Sequence, residues 1–204
     1  MTSTNVSALA LNERVLAKMS GTVKTSKSID EAIVETPSDA LSFPTEFLNK
    51  MTPSGMPSHV LNLKRGAIIM LLKNLNVRDG LCNGTRLIVE EIGTRILSCK
   101  IANGSRKGKH TFIPRIDCYF DNNLPFKFRR RQFPVRLSFA MTINKAQGQS
   151  FDRIGLSLSD RIFTHGQLYV ALSRARSRDG IFIESPDDAM TNVVFKEVFH
   201  NSLD

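Results

Sequence analysis

The sequence predicts an α/β domain interrupted by an antiparallel β insertion, and three observations carry that expectation. After Pro134 the pattern runs strand, loop, strand, helix, strand, with IGLSL and GIFIES flanking a helical stretch over residues 166–176, the order of an α/β sheet. Between residues 61 and 131 the runs AIIMLLKNL, TRLIVEEI, RILSCKIA, HTFIPRIDCYF and LPFKFRR are punctuated by Asp79-Gly80, Asn83-Gly84, Ile92-Gly93-Thr94 and Asn103-Gly104. Such punctuation reads as a β meander or small barrel. Near the N-terminus Thr4 can cap a helix reaching about Met19, with Val6, Leu9, Val15, Leu16 and Met19 near one face and Gly21 as its stop.

The remaining elements follow in order. Residues 23–40 are polar and acidic without clear period, and read as a strand end followed by an excursion. Pro44 suits the first turn of a short helix holding Phe47 and Leu48, which Thr52-Pro53-Ser54-Gly55 breaks. A short terminal helix is expected over residues 190–199. The division is therefore 1–60 for the first part of the α/β domain with its excursion, 61–133 for the inserted barrel, and 134–204 for the remainder.

With 204 residues, 41% hydrophobic and 23% charged, the chain can bury a core. The balance of 28 Lys+Arg against 19 Asp+Glu gives a formal charge of +9, which favours a polyanionic partner without naming one. Cys82, Cys99 and Cys118 are odd in number, widely spaced and not in a CxxC pattern; they read as small buried hydrophobes in a reducing compartment. His59, His110, His165 and His200 are scattered, so no metal site is indicated. The longest apolar run, residues 67–72, is far short of the roughly 20 residues of a membrane span. No membrane partner is expected, and the location is expected to be intracellular, nuclear if the source is eukaryotic.

Gly104-Ser105-Arg106-Lys107-Gly108-Lys109-His110 imitates a phosphate-binding P-loop but is one residue short, with His110 where the magnesium-binding hydroxyl belongs. It also joins two predicted strands rather than a strand and a helix. A solvated basic hairpin that touches a nucleic-acid backbone is the better reading. Glu90-Glu91 and Asp187-Asp188 are acidic pairs in the wrong context for a Walker B motif.

Two segments carry chemistry. In Thr142-Ile143-Asn144-Lys145-Ala146-Gln147-Gly148-Gln149-Ser150, hydroxyl, amide and ammonium groups surround a glycine that lets backbone N–H groups approach an anion; the same residues read equally well as a polar helix start. In Gln167-Leu168-Tyr169-Val170-Ala171-Leu172-Ser173-Arg174-Ala175-Arg176, Leu168, Ala171, Leu172 and Ala175 form a core face, leaving Arg174 and Arg176 as the informative pair. A basic track of Lys64, Arg65, Lys73, Arg86, Arg129, Arg130 and Arg131 lies in the β region, with Phe126, Phe128 and Phe133 near it as either stacking platforms or barrel core.

These segments resemble the Pif-type superfamily 1 DNA helicases and their relatives carried by Helitron transposons. The first matches motif V, T-I-H-K-[SA]-Q-G-Q-[ST], except for Asn144 in place of histidine. The second matches motif VI in nearly every position. LNLKRGAIIMLLKNLNVRDGLCNGTRLIV is similar to the start of the Src-homology-3-like insertion of the second RecA-like domain, and Thr2-Ser3-Thr4-Asn5 with LNERVL is similar to the strand-to-helix segment that opens it. The resemblance covers about residues 1–184.

It implies a second RecA-like helicase domain with an inserted small barrel, the C-terminal half of an enzyme that uses ATP and magnesium to move five prime to three prime along single-stranded DNA. By that resemblance Arg174 is the catalytic arginine finger, Gln147, Gly148 and Arg174 face the nucleotide, and Thr142 and Lys145 contact the DNA backbone. Lys64, Lys73, Arg86 and Arg130 of the basic track join them as DNA-binding candidates. No Walker A motif occurs, so no cofactor is expected to be held by this chain alone, and an ATP-binding RecA-like half, in cis or trans, is the implied partner. A stand-alone single-stranded DNA-binding module and a non-functional transposon remnant are the alternatives.

Overall fold

The computed structural model describes residues 1–34, 43–121, 124–158, 162–185 and 192–195. Residues 35–40 of the excursion and the pair Asp187-Asp188 lie outside them, as does most of the expected terminal helix, whose described residues 192–195 are not helical. Two compact units form: Met1–Val15 with Phe139–Asp204, and Leu16–Ser138.

The first unit is parallel α/β. Thr2 pairs in parallel with both Thr142 and Ser157, its N–H donating to the Met141 carbonyl at 3.0 Å and its carbonyl accepting from Ile143 N–H at 3.0 Å. Strand β11, Ile154–Ser157, pairs in parallel with β12, Ile181–Glu184. Parallel neighbours need a crossover, and the helix α3, Gln167–Leu172, lies in that connection. Ile143, Ile154, Leu156, Leu158, Ile162, Leu168 and Ala171 form its core.

Helix α1, Asn5–Lys18, begins as expected: Thr4 Oγ1 accepts from Ser7 N–H at 3.2 Å, which satisfies an orphan donor of the first turn. The buried face differs from the expected one. Val6 and Leu9 are exposed, whereas Ala8, Asn12 and Leu16 are buried, a stripe at i, i+4 and i+8. Asn12 belongs there because its amide clamps the backbone of Ala140, donating from Nδ2 at 3.0 Å and accepting at Oδ1 at 2.8 Å.

The second unit is antiparallel β throughout its described strands, and it starts far earlier than residue 61. Strand β1, Lys24–Lys27, pairs with β3, Val60–Leu63, and the expected short helix, α2, Thr45–Lys50, lies between them in the chain. Strand β2, Ile29–Ile33, pairs with β9, Lys127–Gln132, which also pairs with β8, Ile116–Phe120. The expected assignment of residues 16–60 and of 134–138 to the α/β domain is therefore corrected: their strands are hydrogen-bonded into the β unit, which runs to Ser138. A five-stranded sheet follows the order β10-β4-β5-β6-β7, formed by Val135–Leu137, Ile68–Leu71, Arg86–Ile92, Ile96–Ile101 and His110–Pro114.

The run HTFIPRIDCYF is two strands rather than one. Pro114 cannot donate to a ladder, and at Arg115 the chain passes from β7 to β8, in a different sheet. Arg115 fixes that corner by donating from Nε to Thr94 O at 2.9 Å and from Nη1 to Lys27 O at 2.7 Å, with its guanidinium 4.9 Å from the Phe133 ring centre. Leu63, Ile69, Leu71, Leu87, Leu97, Ile113 and Phe133 are wholly buried. Cys99 and Cys118 are buried and Cys82 half-buried, all unpaired. Burial, with a smaller contribution from the Glu90 charge, pushes the Cys99 thiol up to about 12.

Residues 102–109 form the hairpin between β6 and β7, with Gly108 N–H donating to Ile101 O at 2.8 Å and Ile101 N–H to Lys109 O at 2.9 Å. This P-loop look-alike joins two strands.

Candidate nucleotide- and DNA-facing site

The segment after Thr142 leaves the parallel sheet as a 3-10 turn, Ile143–Ala146. Ile143 and Ala146 point into the core, so Asn144 and Lys145 are turned outward. Gln147 and Gly148 follow on the surface, and Gly148 has φ 74°, a left-handed value that costs a residue with a Cβ about 1 kcal/mol or more. Gln149 closes the turn, its Nε2 donating to Lys145 O at 3.0 Å.

The expected helix over residues 166–176 is shorter: α3 stops at Leu172. Past it, Ala175 pairs in parallel with Phe151, with Phe151 N–H donating to Arg174 O at 2.9 Å and Arg176 N–H to Phe151 O at 3.0 Å. Pairing with Phe151 takes these residues out of the helix. The same pairing brings the two motif segments side by side.

Arg174 lies at their junction, half-buried. Its Nε donates to Val170 O at 3.1 Å, Nη1 to Gln149 O at 3.2 Å and Nη2 to Ser173 Oγ at 2.9 Å. A guanidinium has five N–H donors, so two N–H groups, one on each Nη, have no acceptor among the described residues. The cation is thus held by its own backbone while retaining donors in a rigid planar fork suited to phosphate oxygens. Arg176 is different. It is mostly exposed and pairs with Asp152 at 2.9 Å, an ordinary surface ion pair.

Thr142 and Lys145 are not equivalent. Thr142 is 7% exposed, with its backbone in the parallel pairing to Thr2, so its place is in the sheet. Lys145 is exposed, with Nζ 3.3 Å from Asn5 Oδ1.

The basic track of the β unit is smaller than the sequence suggests, and two of its members are corrections. Lys64 is 6% exposed and donates to Met19 O at 2.7 Å and Ala17 O at 3.4 Å; its ammonium caps the end of α1 instead of facing DNA. Arg130 is 0% exposed. Nε and Nη2 grip Asp30 at 2.9 and 2.6 Å, Nη1 reaches Met51 O and Pro57 O at 3.1 Å each, and Nη2 also reaches Leu48 O at 3.2 Å. All five of its donors are occupied inside the fold.

Ser28 and His59 extend that cluster, with Ser28 Oγ donating to Asp30 Oδ1 at 2.6 Å and lying 2.8 Å from His59 Nδ1. The carboxylate hydrogen-bonds serine and arginine, and its Oδ2 lies 3.7 Å from His59 Nδ1, beyond hydrogen-bond reach, so this is a packed polar network and not a nucleophile with its base. Phe126, Phe128 and Phe133 are buried core, which settles their two readings. Arg129 pairs with Glu31, and Arg131 Nε lies 2.9 Å from Asp117 Oδ1. Lys73 stays exposed. Arg86 is half-buried, and burial lowers its guanidinium from the usual range.

Comparison with known proteins gives the kinship of the chain. The family model described as "DNA helicase Pif1, 2B domain" matches residues 46–92, within the β unit. The ATP-dependent DNA helicase PIF1 of Rattus norvegicus is 37% identical over 177 residues, 83% of this chain and 24% of the relative. This chain belongs to the Pif1 helicase family. The human PIF1 helicase is 39% identical over 127 residues, 61% of this chain and 19% of that protein.

Among solved structures, the Pif1 helicase of Candida albicans superposes with a TM-score of 0.73 at 26% identity, over 99% of this chain and 48% of that one. Bacteroides Pif1 in complex with ADP-AlF3 and ssDNA gives 0.69 at 22% identity, over 98% and 43%. The chain therefore spans about a quarter or less of these curated Pif1 relatives and under half of these crystallised ones. Its fold is that of the RecA-like helicase domain with small antiparallel sheets of the 2B type. Among the described residues, no helix is long and apolar enough to cross a membrane.

Proposed function

We propose that this chain is part of an ATP-dependent DNA helicase of the Pif1 type: the part that supplies an arginine to the nucleotide and a surface to single-stranded DNA. The observation that carries the reading is the anchoring of Arg174 on the Gln149 carbonyl, which puts a phosphate-competent fork where the two motif segments meet. Bound ATP would supply a transferable γ-phosphoryl group. The residues here fit one side of it: Arg174 presents two N–H groups, and Gly148 leaves the backbone uncovered, with nothing within 4 Å of where a Cβ would stand.

The remainder of the nucleotide pocket, including magnesium, is assigned to an ATP-binding RecA-like half in cis or trans. Lys145, Lys73 and Arg86 are the proposed DNA contacts within their own units. Kinship with Helitron-borne members rests on the wording of the two motif blocks, and a DNA-bearing intracellular compartment, the nucleus in a eukaryote, suits the activity.

A plain single-stranded DNA-binding module is the second reading, favoured by the +9 charge; it has no use for Arg174. Titration of the chain with a single-stranded oligonucleotide at rising salt tests the DNA contact common to both. Affinity should fall steeply, and Lys145→Ala should lower the logarithmic salt slope by about one unit. Affinity that is flat with salt would overturn the electrostatic account.

A further inference from the structure

The hairpin over residues 102–109 remains outside the proposed site, yet it carries a dense positive charge. The loop over residues 74–84 and this hairpin together hold Arg78, Arg106, Lys107 and Lys109 against a single carboxylate, Asp79. The two segments brace one another. Lys109 Nζ donates to Asp79 Oδ1 at 2.6 Å and Arg106 Nη2 to Arg78 O at 3.4 Å, while Gly80 leaves room for the Arg106 side chain, whose Cγ would lie 3.3 Å from a Cβ there.

Asp79 is thereby engaged, its carboxyl held below the usual range by the Lys109 hydrogen bond and charge. Arg78, Arg106 and Lys107 are exposed and form no salt bridge among the described residues. Holding such a set of like charges together is unfavourable in isolation, and a polyanion relieves it.

The kind of polyanion follows from what the tip lacks. Neither segment contains Phe, Tyr or Trp, whereas single strands are held through stacking of their bases on aromatic faces. Cations on a braced tip without a stacking platform suit phosphates fixed at regular spacing, as on a duplex backbone. We propose that the tip formed by residues 74–84 and 102–109 is a second nucleic-acid surface that grips the phosphate backbone of duplex DNA, distinct from the single-strand contacts at Lys145, Lys73 and Arg86.

This rests on the reading of the chain as a DNA-handling protein, and the test separates the two. The whole chain is titrated by fluorescence anisotropy with a blunt duplex and with a thymidine oligomer of equal length. Arg78→Ala/Arg106→Ala/Lys107→Ala should weaken duplex binding by about 10-fold or more and flatten its salt slope by two to three units, roughly 0.9 per lost phosphate contact. Single-strand binding should change by less than about two-fold. Lys18→Ala/Lys50→Ala/Arg95→Ala removes equal charge away from the tip and should leave both affinities close to wild type, and Lys107→Glu alone should act in the same sense as the triple variant.

Duplex affinity unchanged in the tip variant, equal losses on duplex and single strand, or equal losses from the control would each overturn the proposal. A wild-type chain that binds single strands but not the duplex overturns it alone; one that binds duplex through the tip and no single strand overturns the single-strand assignment instead.

Discussion

Arg174 Nη1 donates to the main-chain carbonyl of Gln149 at 3.2 Å, and Gln149 Nε2 in turn donates to Lys145 O at 3.0 Å. The half-buried arginine and the exposed lysine are therefore joined through one residue, although they are 29 positions apart (174 − 145) in the chain. A cation held in this way keeps its position when charge develops nearby, which is the requirement for stabilising phosphoryl transfer without reorganisation. It also gives the turn that carries Lys145 a mechanical connection to Arg174.

The Arg130–Asp30 pair should matter for stability and not for DNA. Both side chains are completely buried, so Arg130→Met leaves Asp30 without its main partner and should cost about 3–5 kcal/mol. Replacing both, with Asp30→Leu added, should recover much of that loss. Urea unfolding of the two variants checks it; a single variant as stable as wild type would contradict the fully buried geometry.

Two glycines should respond oppositely to what their backbone angles alone suggest. Gly148 has φ 74° but open space around it, whereas a Cβ on Gly180 would stand 2.1 Å from Asp152 O. Gly148→Ala should cost about 1 kcal/mol from the left-handed backbone. Gly180→Ala must push β11 from its place beside β12 and should cost about 1–3 kcal/mol, at the upper end because the obstacle is backbone. Thermal melting compares them, and Gly180→Ala melting with wild type would show that the two segments are not in this close contact.

Much of the fold was legible where apolar period and turn chemistry agreed. The strand-helix-strand order after Pro134, the hairpin nature of residues 102–109 and the Thr4 cap all follow from local residues. The exceptions have physical reasons. Strands β1 and β2, KTSK and IDEAI, bury one polar position each, Ser26 in β1 and Asp30 in β2, so no apolar alternation announces them; pairing with β3 and β9 makes them strands.

Arg130 was readable in principle. In KFRRRQ a period of two places it on the face of Phe128 and Gln132, opposite Arg129 and Arg131, and all three are 0% exposed. Its partner could not be read, because Asp30 reaches it across 100 residues through the β2–β9 register. The early end of α3 has the same origin, since Ala175 is claimed by Phe151 and helix propensity has no knowledge of that neighbour. On α1, counting apolar residues chose Val6 and Leu9, while the tertiary clamp on Ala140 selected the face of Asn12.

The central claim is that Arg174 serves a nucleotide and Lys145 serves DNA, and DNA-stimulated ATP hydrolysis by a complete enzyme joining this chain to a family ATP-binding half tests it most directly. Arg174→Ala should cut hydrolysis at saturating DNA by about 10³ or more, the scale of arginine fingers, with DNA affinity nearly unchanged. Lys145→Ala should weaken DNA binding with hydrolysis at saturating DNA little affected. If both substitutions lower only DNA affinity and leave hydrolysis intact, Arg174 is one more basic contact and the helicase account of this site is wrong.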